Sequence, residues 1–312
     1  MFAVKNDDGP VLGHIIIFTL PGILIARDTL VKICTDLKMP VTVGGRYSKI
    51  DAFRSATSDI NDKIIDIKDG MRRERKVYCQ KNGKSENFVS CELICETLGQ
   101  ITNTYKKLAN FYFIKTTNSF DYRIEDSDSS LNIAGYCEEV EKQYELYQKC
   151  VARNQFENLI DKFLEIIGAL KIDVHGKVYF VPKKNMKMVA LFEDFIESIN
   201  ANNIRSSEIN FYSLFIADNT KQRGKIANEF YHNARHEIKN YMQRLETLIA
   251  SNSSNPALLE RWAKKVDLLQ SKKAEYETLL QRELVDLDEE YQALDLLSGE
   301  LKLRAKKIRQ NS

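Results

Sequence analysis

The sequence predicts an α+β protein: an N-terminal α/β head with an antiparallel sheet, then a mainly helical region with a long C-terminal helical hairpin or coiled-coil arm. Three observations support this prediction. Runs rich in β-branched and aromatic residues alternate with turn signals over residues 64–125. Helical periodicity dominates from about residue 137 onward. Residues 219–310 contain two glycines and one proline, so little in them would stop a helix. We therefore expect three domains, namely residues 1–126, 131–217 and 218–312.

The composition predicts a globular protein in which any function that depends on charge is confined to part of the surface. The 312 residues are 43% hydrophobic, which is enough for a substantial core. Lys+Arg number 46 and Asp+Glu 44, so the net charge of +2 excludes a strongly basic nucleic-acid binder and an acidic DNA mimic as descriptions of the whole chain. Six scattered cysteines without a secretory signal predict free thiols in a reducing cytoplasm. No membrane partner is expected, because the apolar run 15–25 is short and is interrupted by Pro21-Gly22.

The head begins with a strand followed by two short helices. A β-branched run predicts a strand from His14 to Leu20, which Pro21-Gly22 ends in a turn. Apolar residues at helical spacing predict helices over residues 28–39 and 49–61.

An antiparallel sheet is predicted next. Its hairpin signal is Asn82-Gly83, since both central positions of a type I′ turn require positive φ. Residues 93–107 could instead form a helix. The predicted strands cover residues 63–68, 75–80, 88–94 and 109–115.

The middle region follows a short polar boundary at residues 126–130. An apolar stripe from Cys137 to Ile167 predicts one helix of about 35 residues, roughly 50 Å long. A compact β-hairpin over residues 172–182 is then expected to turn at His175-Gly176. A helix at 186–199 and an apolar strand at 209–217 complete the region.

The arm is predicted to be an unequal helical hairpin. Asp218 or Asn219 caps its first limb, residues 220–250, and Pro256 opens the second limb, residues 256–310. The limbs would span roughly 45 and 80 Å, so the first cannot cover the far end of the second. A partner seam is therefore expected there, covered by the 137–167 helix or by a second subunit. Its residues are Leu284, Leu287, Tyr291, Leu294, Leu297 and Leu301.

Two kinds of candidate site follow from charged and polar residues. His232 and His236 lie one helical turn apart and could ligate a metal, although Asn233 replaces the Glu of a metalloprotease helix, and a solvated helix face is the alternative. Two basic clusters could contact phosphates, although cations also suit the last turns of a helix. These candidates are Arg72, Arg73, Arg75, Lys76, Lys302, Arg304, Lys306, Lys307 and Arg309. No phosphate-binding loop or dinucleotide fingerprint occurs, so we predict no enzyme and no cofactor.

Two stretches of the chain resemble an uncharacterised family of bacteriophage proteins. They are the N-terminal unit, from Leu20-Pro21 through residues 27–30 to residues 51–57, and the run at residues 176–182. The resemblance covers roughly residues 15–60 and 165–200 and implies a phage or prophage protein in the bacterial cytoplasm.

The sequence leaves three functions open. The first is a non-enzymatic interaction protein that self-associates through its arm and binds a host or phage protein complex, for instance as an inhibitor of bacterial defence. The alternatives are a nucleic-acid-binding accessory of phage DNA metabolism and a metal-dependent hydrolase.

Overall fold

The structure, a computed structural model, describes residues 10–68, 71–99, 102–126, 130–172 and 176–310, with the backbone alone at residues 66, 68, 71 and 72. The strands are β1 (Val11–Phe18), β2 (Leu24–Ala26), β3 (Asn61–Lys68), β4 (Met71–Lys84), β5 (Phe88–Leu98), β6 (Thr104–Ile114), β7 (Ser119–Ile124), β8 (Cys150–Ala152), β9 (Leu170–Lys171), β10 (Val178–Pro182) and β11 (Phe211–Ala217). The α-helices are α1 (Arg27–Asp36), α2 (Lys49–Ser58), α3 (Ile133–Lys149), α4 (Arg153–Ile166), α5 (Met186–Asn202), α6 (Thr220–Ala250), α7 (Pro256–Leu280) and α8 (Asp288–Gln310). This mixture confirms the predicted α+β class.

The described residues group into two compact units. The arm unit comprises the chain up to Leu20, Ile160–Asn200 and the chain from Glu208 onward. The head unit comprises Pro21–Leu159 and Ala201–Ser207. The division into domains at residues 126–131 and 217–218 stays a prediction. None of the described helices is both long and apolar enough to cross a membrane.

The head unit is built on a five-stranded antiparallel sheet, which confirms the sheet expected from the sequence. Strands β3 to β7 lie side by side in chain order. Alternate residues such as Leu93 and Phe111 are fully buried in one core with Phe53 of α2 and Val140 of α3. Both helices therefore cover the same face of the sheet. Strands β2 and β8 form a separate antiparallel pair.

The prediction that Asn82-Gly83 forms a hairpin turn is wrong. The pair lies inside β4, at a bulge where the pairing with β5 shifts between Lys81 and Gly83. Neither residue has a positive φ. The chain reverses three residues later, where Ser85 Oγ accepts the backbone N–H groups of Asn87 and Phe88 at 3.2 and 3.1 Å. The chain therefore reverses in a turn stabilised by the Ser85 side chain and not at the predicted Asn82-Gly83 pair.

Two predicted helices are also wrong. The alternative helix at 93–107 does not form, because β5 extends to Leu98 and β6 begins at Thr104. The single helix at 137–167 is divided into α3 and α4 by strand β8. Val151, the central residue of β8, pairs with Ile25 of β2. Strand pairing therefore overrides the helical periodicity of the apolar stripe.

The arm unit contains a four-stranded antiparallel sheet in the order β11-β1-β10-β9. The rings of Phe18 and Phe192 lie 5.7 Å apart where α5 covers one face. Phe180 and Tyr276 lie 6.4 Å apart where the arm covers the other. The pairing of β9 with β10 confirms the hairpin expected at 172–182, whereas its expected turn residue His175 lies outside the described part of the chain.

The arm consists of α6, α7 and α8. Asn219 Oδ1 accepts the N–H of Gln222 at 3.0 Å, and Pro256 occupies the first turn of α7, as predicted. The prediction of a continuous second limb is wrong. Gln281, with φ 52°, ends α7 in the left-handed conformation, and α8 then runs back along α7. Arg309 near the end of α8 consequently forms an ion pair with Glu260 near the start of α7, at 2.7 Å.

The expected partner seam is buried by the chain's own helices. Leu284, Leu287, Leu294 and Leu301 have no exposed surface, and Tyr291 is buried as well. Leu297 is partly buried against the same core, which includes residues of α6 and α7. These residues need no second copy and no 137–167 helix to cover them. Self-association stays a prediction, but this seam no longer provides its reason.

Candidate functional site

Strand β11 forms an edge of its sheet, because β1 is its one partner among the described strands. Its seven residues, Phe-Tyr-Ser-Leu-Phe-Ile-Ala, carry no charge. The exposed fraction is 61% for Tyr212, 39% for Leu214 and 45% for Phe215. Strand alternation places Tyr212 and Leu214 on one face and Phe215 on the other. The outer backbone N–H and C=O groups of β11 can therefore pair with another strand, and exposed apolar side chains lie on both faces of the sheet beside them.

The other edge strands of the larger sheets are protected. Strand β3 contains Asp62, Lys63, Asp66 and Lys68, and β7 contains Asp121 and Arg123. Strand β9 has only two residues. Charged or very short edges discourage pairing with another chain, whereas β11 has neither protection.

Contacts with β1 hold β11 in place. His14 and Ser213 share a hydrogen bond of 2.8 Å between Nδ1 and Oγ. The ring of Phe215 lies 4.4 Å from the ring of His14. Burial lowers the pKa of His14, so the neutral imidazole is the form that the fold favours. The exposed edge thus rests on an ordered inner strand.

The predicted phosphate contacts on α8 are largely paired with acidic groups of the chain. Lys302 Nζ lies 2.8 Å from Asp267, and Arg304 lies 2.6 Å from Glu300. Arg309 binds both carboxylate oxygens of Glu260 at 2.7 Å. Lys306 and Lys307 are exposed. Three of these five cations would have to give up a carboxylate to bind a phosphate.

The second basic cluster is divided by the alternation of β4. Arg75 is buried on the helix side of the sheet and donates to Ser130 Oγ at 2.9 Å. Arg73 points to the same side and lies 3.5 Å from Thr97 Oγ1, whereas Lys76 points to the other side. The side chain of Arg72 lies outside the described part of the structure. The structure therefore places Arg73 and Arg75 on one side of the sheet and Lys76 on the other.

His232 and His236 are both exposed on α6. Among the residues that the structure describes, no three His, Cys, Asp or Glu side chains are arranged to hold a metal ion. The histidine pair thus has no third side-chain ligand in the described chain.

A polar cleft of about 660 Å³ lies in the head unit beside α3 and β3. Asp59 Oδ2 accepts the hydroxyl of Tyr147 and a guanidinium N–H of Arg205, both at 2.6 Å. Asp62 accepts the hydroxyl of Tyr136 at 2.9 Å, and burial together with Asp62 raises the pKa of Tyr136 to about 12. These groups satisfy one another, and the phenols stay protonated near neutral pH. The arrangement is typical of a polar network that holds elements together.

The sequence predicted neither the edge position of β11 nor the polar network of Asp59, Tyr147 and Arg205. An apolar strand was expected at 209–217, but an uncharged strand reads as a central one, so its place at an edge was not predicted. Asp59, Tyr147 and Arg205 are far apart in the chain and share no local motif.

Comparison with known proteins gives a family without an assigned activity. No protein of curated function matches the sequence. A model described as "Family of unknown function (DUF6744)" matches residues 11–307, which include every strand and nearly every helical residue described above. The chain therefore belongs to the DUF6744 family of unknown function.

Proposed function

We propose that this protein is a non-enzymatic interaction protein and that the outer edge of β11 carries its contact with another chain. The observation that carries the proposal is an uncharged edge strand with Tyr212, Leu214 and Phe215 exposed. A strand added there would gain backbone hydrogen bonds and bury apolar surface on both faces of the sheet. Self-association, first expected through the arm, is thereby assigned to β11.

The occupant that best matches β11 is a second copy of β11. In antiparallel pairing centred on Leu214, no charged residue opposes another, and two large side chains face small ones. Such a pairing is two-fold symmetric and closes after two subunits. The opposed pairs are Leu214 with Leu214, Ser213 with Phe215, Tyr212 with Ile216 and Phe211 with Ala217.

The biological setting is proposed from the sequence resemblance to phage proteins. A dimer of this kind would act in the bacterial cytoplasm on a host or phage protein complex, and inhibition of a bacterial defence system is one such role. The polar cleft adds no separate support for catalysis, because Asp59 and Asp62 are hydrogen-bonded to Tyr147, Arg205 and Tyr136 within the head unit.

Light scattering across a range of protein concentrations tests the proposal. The wild type should approach twice the monomer mass as its concentration rises. Leu214→Lys should remain monomeric, because a charge on the strand disfavours edge pairing.

Two further lysine substitutions locate the contact. Ile67→Lys makes the same change on the charged edge strand β3, where the side chain is 79% exposed, and should dimerise like the wild type. Leu303→Lys changes an exposed residue of α8. A monomeric Leu303→Lys variant beside a dimeric Leu214→Lys variant would place the contact on the arm and reject β11. A wild type that is monomeric at every concentration would reject self-association.

A further inference from the structure

A second cavity in the head unit, of about 490 Å³, lies between the C-terminal half of α2 and the end of the β4–β5 hairpin. Its wall includes Val89 and Cys91 of β5 and Cys79 of β4, which supply an apolar floor. Arg54 of α2 and the lysines Lys81 and Lys84 of β4 also line it. A concave site of this size suits a small molecule rather than a macromolecular surface.

The bulge at Asn82-Gly83 brings both lysines to this cavity. Residues three apart in a regular strand point to opposite faces. Here Lys81 pairs with Cys91 and Lys84 pairs with Val89, which are two residues apart on β5 and share a face. The extra residue in β4 therefore places both lysine side chains on the same face of the sheet, where they line the cavity, as bulges beside binding sites do.

The charge of the cavity is strongly positive. Arg54, Lys81 and Lys84 line it, and no carboxylate is among its described lining residues. Arg54 has a nearby partner in Asp51 at 3.1 Å, but both side chains are about half exposed, so that ion pair is weak. Neither lysine has an ion-pair partner in the described part of the chain.

Cys91 lines the same cavity as Arg54 and Lys81. Burial raises its pKa, whereas a hydrogen bond with Thr57 and the charges of Lys81 and Arg54 lower it. The positive field of the two cations therefore reaches the buried end of the site.

We propose that this cavity binds a small organic phosphate. The phosphate dianion would lie between Arg54, Lys81 and Lys84, because a planar guanidinium and two ammonium groups suit its three oxygens. The non-polar part of the ligand would rest on Val89 and Cys79. This inference concerns the head unit and is independent of the β11 contact.

Calorimetric titration with adenosine monophosphate and with inorganic phosphate, at constant ionic strength, tests the assignment. Both ligands should bind the wild type, the nucleotide more tightly because it also covers the apolar floor. The double variant Lys81→Gln/Lys84→Gln should weaken binding of both ligands by about a hundredfold, since it removes two charge-assisted contacts and each amounts to roughly tenfold in Kd. Both lysines are exposed, so the fold should tolerate the change, and an unchanged thermal unfolding midpoint without ligand would verify this.

Lys76→Gln is a control for the loss of charge on β4, because it removes one positive charge from the opposite face of the sheet and should leave both titrations unchanged. Equal affinity in the wild type and the double variant, or no binding of either ligand to the wild type, would overturn the proposal. A DNA oligonucleotide that binds through Lys81 and Lys84 while the nucleotide does not would also overturn it, in favour of a nucleic-acid surface.

Discussion

Gly13 of β1 lies opposite Pro182 of β10, in tight contact with the residues beside it. A β-carbon at this position would lie 2.2 Å from the carbonyl oxygen of Val181 and 2.7 Å from the ring of Phe180. Gly299 of α8, by contrast, has open space around it. The two glycines therefore serve different purposes, one imposed by packing and one without a steric reason.

Alanine substitutions at these two glycines should change the free energy of unfolding in opposite directions. Gly13→Ala should lower the free energy of unfolding by roughly 3 kcal/mol through overpacking. Gly299→Ala should raise it by about 0.5–1 kcal/mol, because alanine favours the helix. Urea unfolding followed by the fluorescence of Trp262, the one tryptophan of the chain and a residue of α7, measures both. Equal effects of the two substitutions would contradict the close approach at Gly13.

His14 should make stability depend on pH. Because burial lowers its pKa in the folded protein, its contribution is fully present above about pH 6.5, where the unfolded chain is also neutral. The contribution is lost as the pH falls from there through the folded-state pKa, since the unfolded chain takes up a proton first. His14→Gln should show a smaller loss of unfolding free energy between pH 7 and 5 than the wild type. The exposed His236→Gln is the control, and an identical slope in His14→Gln would contradict a buried neutral imidazole.

At the scale of elements, the arm consists of three helices that pack together, whereas the sequence predicted a hairpin of two. Leu294 is fully buried in it, whereas Leu296, two residues later on α8, is 78% exposed. Leu294→Ala should therefore cost roughly 2–5 kcal/mol of unfolding free energy, and Leu296→Ala should stay within about 0.5 kcal/mol of the wild type. Neither should change the mass in light scattering. A changed mass with unchanged stability in Leu294→Ala would mean that Leu294 faces another chain.

The helix starts of the arm could be predicted, and one of its ends could not. Asn219, Asn255 and Pro256 are residue types with a strong preference for first turns, so local chemistry locates them. Gln281 has no such preference for a left-handed cap, and the leucines beyond it continue the helical spacing. The break is supported by the long-range burial of Leu284 and Leu287 when α8 folds back against α6 and α7, and by the hydrogen bond from the Leu284 N–H to Glu277 Oε1 at 2.9 Å.

At the scale of the whole molecule, pairing between strands that are neighbours in the chain could be predicted, whereas pairing between strands far apart in the chain could not. Strands β3 to β7 pair in chain order, so their strand-like runs were enough to predict an antiparallel sheet, although the one hairpin signal, Asn82-Gly83, lies in a bulge and not in a turn. The other sheet joins β1 to β10 and β11, which lie far along the chain, and no local pattern states that order. The candidate contact on β11 depends on this long-range arrangement. The sequence therefore predicted the strand but not its position at an edge.

Hydrogen–deuterium exchange of β11 at low and high protein concentration tests the proposed contact most directly. If β11 pairs with a second copy, its amides should exchange more slowly as the mass rises, while those of the charged edge strand β3 should not change. Unchanged exchange in β11 while the mass doubles, or new protection confined to α8, would contradict the account.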